Sequence, residues 1–236
     1  SILLNTEGID YEVIVADDVS TDDTIHLANI VENITVIRDE VNRGFLLNCN
    51  NAARFAKGKY IFFLNNDTNV QENWLHSLLE LMENDSTIGM SGSKLIYPDG
   101  RLQEAGGIIW RDASGWNYGR LDDPNKSEYN YVKEVDYISG AAIMIRSELW
   151  NRIGGFDERY VPAYCEDSDL AFEVRKAGYK VVLQPKSVII HFEGISHGTD
   201  SSNGIKSYQI QNNRKFLEKW RDVLEYQQYA SGQDVF

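Results

Sequence analysis

The residues best placed for chemistry lie where apolar runs end in carboxylates. Gly58-Lys59-Tyr60-Ile61-Phe62-Phe63-Leu64 runs directly into Asn65-Asn66-Asp67. The run reads as a strand buried on both faces, and the polar burst puts two amides and a carboxylate at its carboxyl end. A second run, Glu12-Val13-Ile14-Val15-Ala16, ends the same way in Asp17-Asp18. Ligands of open α/β sheets bind outside the carboxyl ends of the strands, so two acidic strand ends can converge on a nucleotide and a metal. Asp67 offers oxygen to a hard divalent cation, which would neutralise a diphosphate and favour its departure. Asn65 could hydrogen-bond a sugar hydroxyl nearby, while Asp17 and Asp18 could accept from a base N–H or a ribose hydroxyl. Each cluster also has a plainer reading: a polar turn for Asn-Asn-Asp, a helix N-cap for Asp-Asp.

Two later clusters add to these. Cys165-Glu166-Asp167-Ser168-Asp169-Leu170 follows Gly154-Gly155-Phe156-Asp157-Glu158 and opens a helix with Arg175 and Gly178. Its acids either complement the helix dipole or supply a general base that takes a proton from an attacking hydroxyl. His191 ends the apolar run Val188-Ile189-Ile190 and could give an imidazole to a metal on Asp67, or serve the fold alone. His197, six residues on, is a weaker candidate. Cys49 and Cys165 lack metal-type spacing and read as free thiols of a reducing compartment.

The elements that must position these residues alternate cleanly in the first half. Strands are expected at 11–16, 34–38 and 60–64, with helices at 21–32, after the box Ser20-Thr21-Asp22-Asp23, and at 45–57, stopped by Gly58. This β-α-β-α-β order predicts one parallel sheet with right-handed crossovers. A helix over 71–84 should face Trp74, Leu75, Leu78, Leu79 and Met82 inward. The stretch from about Tyr97 to Tyr131, rich in Gly, Trp and Asp, is long and weakly patterned, as binding loops are. Strands return at 135–146, 180–183 and 187–192, and a last helix over 205–225 should bury Ile210, Phe216, Leu217 and Trp220. Ser1-Ile2-Leu3-Leu4 reads as the end of a helix, as if the chain began inside a larger sequence.

The 236 residues suffice for one large α/β domain with a helical appendix. A net charge of −13 argues against sequence-independent nucleic-acid binding and against a polybasic membrane surface. No apolar run approaches the roughly 20 residues of a spanning helix, and no signal peptide is read.

Taken together and in order, the four clusters resemble the family 2 glycosyltransferases of the GT-A fold, over roughly residues 1–225. The matching pieces are Glu12 through Asp22, Asn42-Arg43-Gly44-Phe45 through Asn51, Gly58 through Asp67, Ser139-Gly140-Ala141-Ala142 and Gly154 through Gly178. The rhamnosyltransferase-like branch of bacterial surface-polysaccharide enzymes is the most similar. The resemblance implies an α/β, Rossmann-like, mostly parallel sheet with helices on both faces, spanning 1–204, and a helical extension over 205–236 packed on it. It implies an inverting transferase that moves a sugar from a nucleotide-diphospho-sugar to the hydroxyl of a glycan or lipid-linked acceptor. Asp17 would contact the nucleobase, with Asp18 beside it, and Arg43 would touch base or phosphate. Asn65-Asn66-Asp67 occupies the place of the family's D-x-D motif, with Asn65 facing the ribose and Asp67 binding Mn2+ or Mg2+. Asp167 would be the catalytic base, Glu166 would orient it or touch the acceptor, and His191 would complete the metal site.

Two departures stand out. Asn65 is neutral where the family has an Asp, and no counterpart of the family's first strand is visible. That strand would lie between 11–16 and 60–64, so another segment, a neighbouring domain or an oligomer would have to complete the sheet. A non-catalytic nucleotide-sugar-binding or assembly module of the same fold is the alternative. The expected location is the cytoplasm, extending to peripheral contact with the inner face of the plasma membrane.

Overall fold

The structure, a computed structural model, describes residues 1–193 and 208–232. Helix α1 (Ile2–Asn5) leads to strand β1 (Val13–Asp17); a 3-10 turn (Asp23–His26) and α2 (Leu27–Ile30) lead to β2 (Ile34–Arg38); α3 (Phe45–Ala53) leads to β3 (Tyr60–Leu64). Next come β4 (Thr68–Val70), α4 (Trp74–Asn84), β5 (Ile88–Ile96), β6 (Leu102–Glu104), β7 (Gly107–Ile109), β8 (Gly115–Asn117) and β9 (Lys133–Glu134). They are followed by β10 (Ala142–Arg146), α5 (Ser147–Ile153), α6 (Glu166–Lys176), β11 (Lys180–His191) and α7 (Tyr208–Gln227).

The α/β layering is as expected, but the pairing is less parallel. β1 and β2 pair in parallel, from Val13 opposite Ile34 to Asp17 opposite Arg38. β3 does not join them; it edges a second sheet of order β3-β10-β5-β11-β4. In that sheet only β5 and β11 run parallel along the main path, while β10 is antiparallel to β3 and β5, and β4 is antiparallel to β11. An apolar run fixes that a strand is buried, not which neighbour takes its hydrogen bonds. Here the chain returns along β3 from Ala142, opposite Leu64, to Arg146, opposite Tyr60.

β3 is covered on both faces. Ile61 and Phe63 enter the main core with Leu46, Trp150 and Phe156. Phe62 points the other way and meets Trp74 of α4 edge-on, with centroids 5.0 Å apart. α7 belongs to the main core too: Phe216, Trp220 and Leu224 are buried in it, each worth about 2–3 kcal/mol of transfer free energy. Ile210 and Leu217, expected inside, are exposed, because α7 presents a narrower stripe than the whole apolar set.

Other expectations shift for local reasons. The helix over 21–32 shrinks to the 3-10 turn and α2. The Asp22 carboxylate accepts from Thr24 N at 3.0 Å, and Ile25 and Ile30 are exposed, so no apolar face holds a longer helix. α3 tightens after Ala53 into i→i+3 bonds at Arg54, Phe55 and Ala56, ahead of Gly58. The strand expected over 135–146 is reduced to β10, preceded by a turn at Gly140-Ala141. Conversely, the two late strands are one, β11, with a register shift between Gln184 and Val188, where Pro185 cannot donate to a ladder. His197 and residues 205–207 lie outside the described residues. Among the described residues no helix is long and apolar enough to cross a membrane.

Candidate active site

The site is organised around the turn Ser139-Gly140-Ala141, just before β10. Three successive residues of this turn bond to three different segments through main-chain atoms. Ser139 N donates to Glu104 Oε1 at 3.2 Å, Gly140 N to Asp167 Oδ2 at 2.9 Å, and Ala141 O accepts from Asn65 N at 3.0 Å. The end of β3, the start of α6 and the end of β6 are thereby tied to one short piece of backbone.

Asp167 sits in the first turn of α6. Its Oδ1 accepts from Ser168 N at 2.7 Å and Oδ2 takes the Gly140 bond. The loop before it is strained, with Tyr164 and Cys165 both left-handed at φ 77 and 72, a cost of about 1–3 kcal/mol each. Asn212 of α7 offsets this: its Nδ2 donates to the carbonyls of Tyr160 and Ala163, each at 2.7 Å, and of Tyr164 at 3.2 Å. Lys219 and Trp220 add a second clasp, donating at 2.7 Å each to the buried Asp169. α7 therefore holds the acidic loop in place.

Asp67 and His191 meet directly, with Asp67 Oδ1 lying 3.2 Å from His191 Nε2. The pairing of β4 with β11 puts Thr68 opposite His191, and Phe192 N donates to Asp67 O at 2.9 Å. Asp67 Oδ1 is buried and accepts no hydrogen bond. A buried carboxylate oxygen facing an imidazole nitrogen is a donor set a divalent cation fits, if phosphate oxygens and water fill the remaining positions. Among the described residues no group of three or more His, Cys, Asp or Glu forms a cluster that could hold a metal by itself.

The nucleotide-binding candidates are more occupied than their sequence suggested. Asp17 is buried; its Oδ1 accepts from Ser20 N at 2.8 Å and its Oδ2 is paired with Arg38. Burial alone would raise its pKa, but the Ser20 bonds and Arg38 outweigh burial and hold it below the ordinary carboxylate value. Asp18 accepts from Arg43 N at 2.7 Å and Gly44 N at 2.8 Å, fastening the loop that opens α3. The Arg43 guanidinium leans on Asp39, with Nε 3.7 Å from Oδ2, and is half exposed. Asn66 is exposed. No hydrogen bond or ion pair joins Asp17 or Asp18 to Asp67. α3 lies close to the turn: a Cβ at Gly140 would sit 3.7 Å from both Asp167 and Phe45, the residue next to the anchored Gly44.

Three carboxylates compete for charge here. Glu166 is buried, its Oε2 has no partner, and burial together with the Asp167 charge pushes it up to about 8. Glu104, also buried, is pushed up to about 8 by burial against the opposing Ser139 bond. Burial raises Asp167 as well, but the Gly140 and Ser168 bonds oppose that rise. Asp167, with two backbone N–H donors, is the member built to hold negative charge, while Glu166 and Glu104 hold protons near neutral pH. Burial pushes the Cys49 thiol up to about 12 and Cys165 upward as well, which disfavours the reactive thiolate.

Comparison with known proteins identifies the family and the fold. Residues 1–152 match the protein family described as glycosyl transferase family 2. The chain belongs to that family. A protein named y4gI from Sinorhizobium fredii is 28% identical over 86% of this chain and 23% of its own length. The O-antigen biosynthesis protein RfbC of Myxococcus xanthus is 30% identical over 64% of this chain and 12% of its own length. The chain thus spans about a quarter or less of these relatives. An N-acetylglucosaminyl-diphospho-decaprenol L-rhamnosyltransferase of Mycobacterium tuberculosis is 33% identical over 32% of this chain and 24% of its own length. In fold the chain is similar to GalNAc-T7, solved with UDP, GalNAc and Mn2+: TM-score 0.75, 18% identity, covering 95% of this chain and 45% of that one. These likenesses establish the GT-A fold.

Sequence reasoning missed Gln103, Glu104, Asn212 and Arg38. Gln103 and Glu104 form a polar pair between the buried Leu102 and Ala105 in a stretch that reads as a loop; a polar dipeptide inside such a frame was their one signal. The stretch instead carries β6, β7 and β8. Of its tryptophans Trp110 is buried and Trp116 about half exposed. They lie 5.7 Å apart beside an open cleft of about 400 Å³ lined also by Ser114, Gly115 and Gly232.

Proposed function

We propose that this chain is the catalytic domain of an inverting glycosyltransferase that moves a sugar from a nucleotide-diphospho-sugar to an acceptor hydroxyl. The observation that carries the reading is the shared turn: Asp167 and the Asn65–Asp67 segment are each one hydrogen bond from adjacent residues, and Asp67 faces His191. Asp167 accepts the proton of the acceptor hydroxyl. The freed oxygen pair forms the new bond to the anomeric carbon as the bond to the donor phosphate breaks, its electron pair leaving on the diphosphate. One in-line displacement inverts the anomeric configuration. The neutral Glu166 beside Asp167 keeps a second negative charge out of the pocket. Asp67 and His191 are the residues that would hold Mn2+ or Mg2+. A cation bound there would neutralise charge on the leaving diphosphate.

The fold relatives solved with UDP, GDP-mannose or UDP-GlcNAc support a nucleotide-sugar donor of this class. The O-antigen and decaprenol-linked relatives support a glycan or lipid-linked acceptor in surface-polysaccharide synthesis; such a reaction would run on the cytoplasmic side, where activated sugars are made. The deciding experiment screens UDP-, GDP- and dTDP-sugars for transfer and hydrolysis, with and without Mn2+. Asp167→Asn should lower transfer at least about 100-fold with the fold intact; unchanged transfer refutes the assignment. The neutral Asn65 and Asn66 favour the second reading, a donor-binding module without catalysis. Donor binding with no turnover in any arm would support it.

A further inference from the structure

We propose that Gln103 sets the tautomer of His191 and so shapes the Asp67–His191 pair into a cation site; this rests on the reading of that pair as metal ligands. Gln103 is 2% exposed. Its Oε1 lies 2.9 Å from His191 Nδ1, and its Nε2 donates to Glu193 Oε2 at 3.1 Å. The same Glu193 oxygen accepts from Tyr97 Oη at 2.8 Å and lies 3.5 Å from Arg120 Nη2. The fold brings these groups together because β6 and the end of β11 flank the same end of β5.

The chemistry of the partners fixes the Nδ1 side of the ring. An ionised carboxylate only accepts, so the Gln103 amide must turn its NH2 to Glu193 and its carbonyl to the histidine. A carbonyl also only accepts, so His191 carries its proton on Nδ1. A neutral imidazole with Nδ1–H presents a bare lone pair at Nε2. That lone pair faces Asp67 Oδ1 at 3.2 Å, and this oxygen is buried and accepts no hydrogen bond. Two acceptors at that distance repel unless a cation or a proton lies between them. Gln103 thus acts through His191 as a positioning residue, relaying the Tyr97–Glu193–Arg120 cluster to the ligand pair.

The test uses the full chain and two readouts. The chain has four histidines, so the His191 ring signals are assigned by their loss in His191→Gln. Long-range 1H–15N correlation on the metal-free chain should report an Nδ1–H tautomer in the wild type. Gln103→Met should move it towards Nε2–H and weaken Mn2+ binding, read by electron paramagnetic resonance with the metal alone, about 10–100-fold. Gln103→Glu keeps an oxygen on Nδ1 and should keep the tautomer; an Nε2–H ring in Gln103→Glu overturns the proposal even if Gln103→Met does not fold. An Nε2–H or doubly protonated ring in the wild type, or one unmoved by Gln103→Met, overturns the proposal. Wild type that binds no Mn2+, or binding indifferent to Asp67→Asn, overturns the cation reading. The tautomer comparison still decides the role of Gln103.

Discussion

Replacing Glu104 by Gln removes one buried proton-holding group from behind the Gly140 turn, and the effect should depend on pH in a calculable way. Glu104 is 1% exposed, accepts one bond, from Ser139 N at 3.2 Å, and leaves Oε2 without a donor. Burial, opposed by the Ser139 bond and aided by the charges of Asp167 and Glu193, raises its pKa from 4.5 to about 8. The folded chain therefore binds this proton more tightly than the unfolded chain. The associated stability is complete below about pH 4.5 and is lost as pH rises towards about 8. At ~1.4 kcal/mol per pKa unit, the loss is on the order of 3 kcal/mol by pH 7. Glu104→Gln keeps an acceptor for Ser139 and does not titrate. Its stability relative to wild type should therefore climb by on the order of 3 kcal/mol between about pH 4.5 and 7. The unpaired amide NH2 adds a penalty of about 1–3 kcal/mol that is the same at every pH, so the tilt of the difference is what matters. Urea unfolding followed by tryptophan fluorescence from about pH 5 to 8 measures it. Parallel curves for variant and wild type would show that Glu104 does not hold a proton in the folded chain.

Two further substitutions probe the clasp that α7 makes on the acidic loop. Asn212→Leu strands the carbonyls of Tyr160, Ala163 and Tyr164; it should cost ~3 kcal/mol or more in urea unfolding and lower kcat more than it raises KM. Lys219→Met leaves Asp169, Asp157 and Glu173 without their shared cation and should cost about 3–5 kcal/mol. Adding Asp169→Asn should recover part of that loss in a double-mutant cycle.

Much of the candidate site was legible because its residues lie at local sequence signals. The acids at the ends of β1 and β3, the pair at the start of α6 and the histidine ending β11 are each announced by the apolar run or helix signal beside them. Asp67 meeting His191 follows from two such ends brought together by the β4–β11 ladder. What could not be read were the partners. Nothing in Asp17-Asp18 tells that Arg38 takes one carboxylate and the Arg43-Gly44 backbone the other. Gln103 and Glu104 sit on a three-residue strand, too short to show a period. The antiparallel partner of β3 arrives from about eighty residues downstream, and pairing at that separation leaves no mark in either segment.

The Ser139-Gly140-Ala141 turn joins its three neighbours with peptide groups alone. No side-chain exchange at those three positions short of proline, which lacks the N–H, deletes the links on the turn's side. On the proposed mechanism, donor and acceptor preference can drift through substitutions in the surrounding loops while the spacing between proton acceptor and leaving group stays fixed, much as interchangeable tools share one rigid handle.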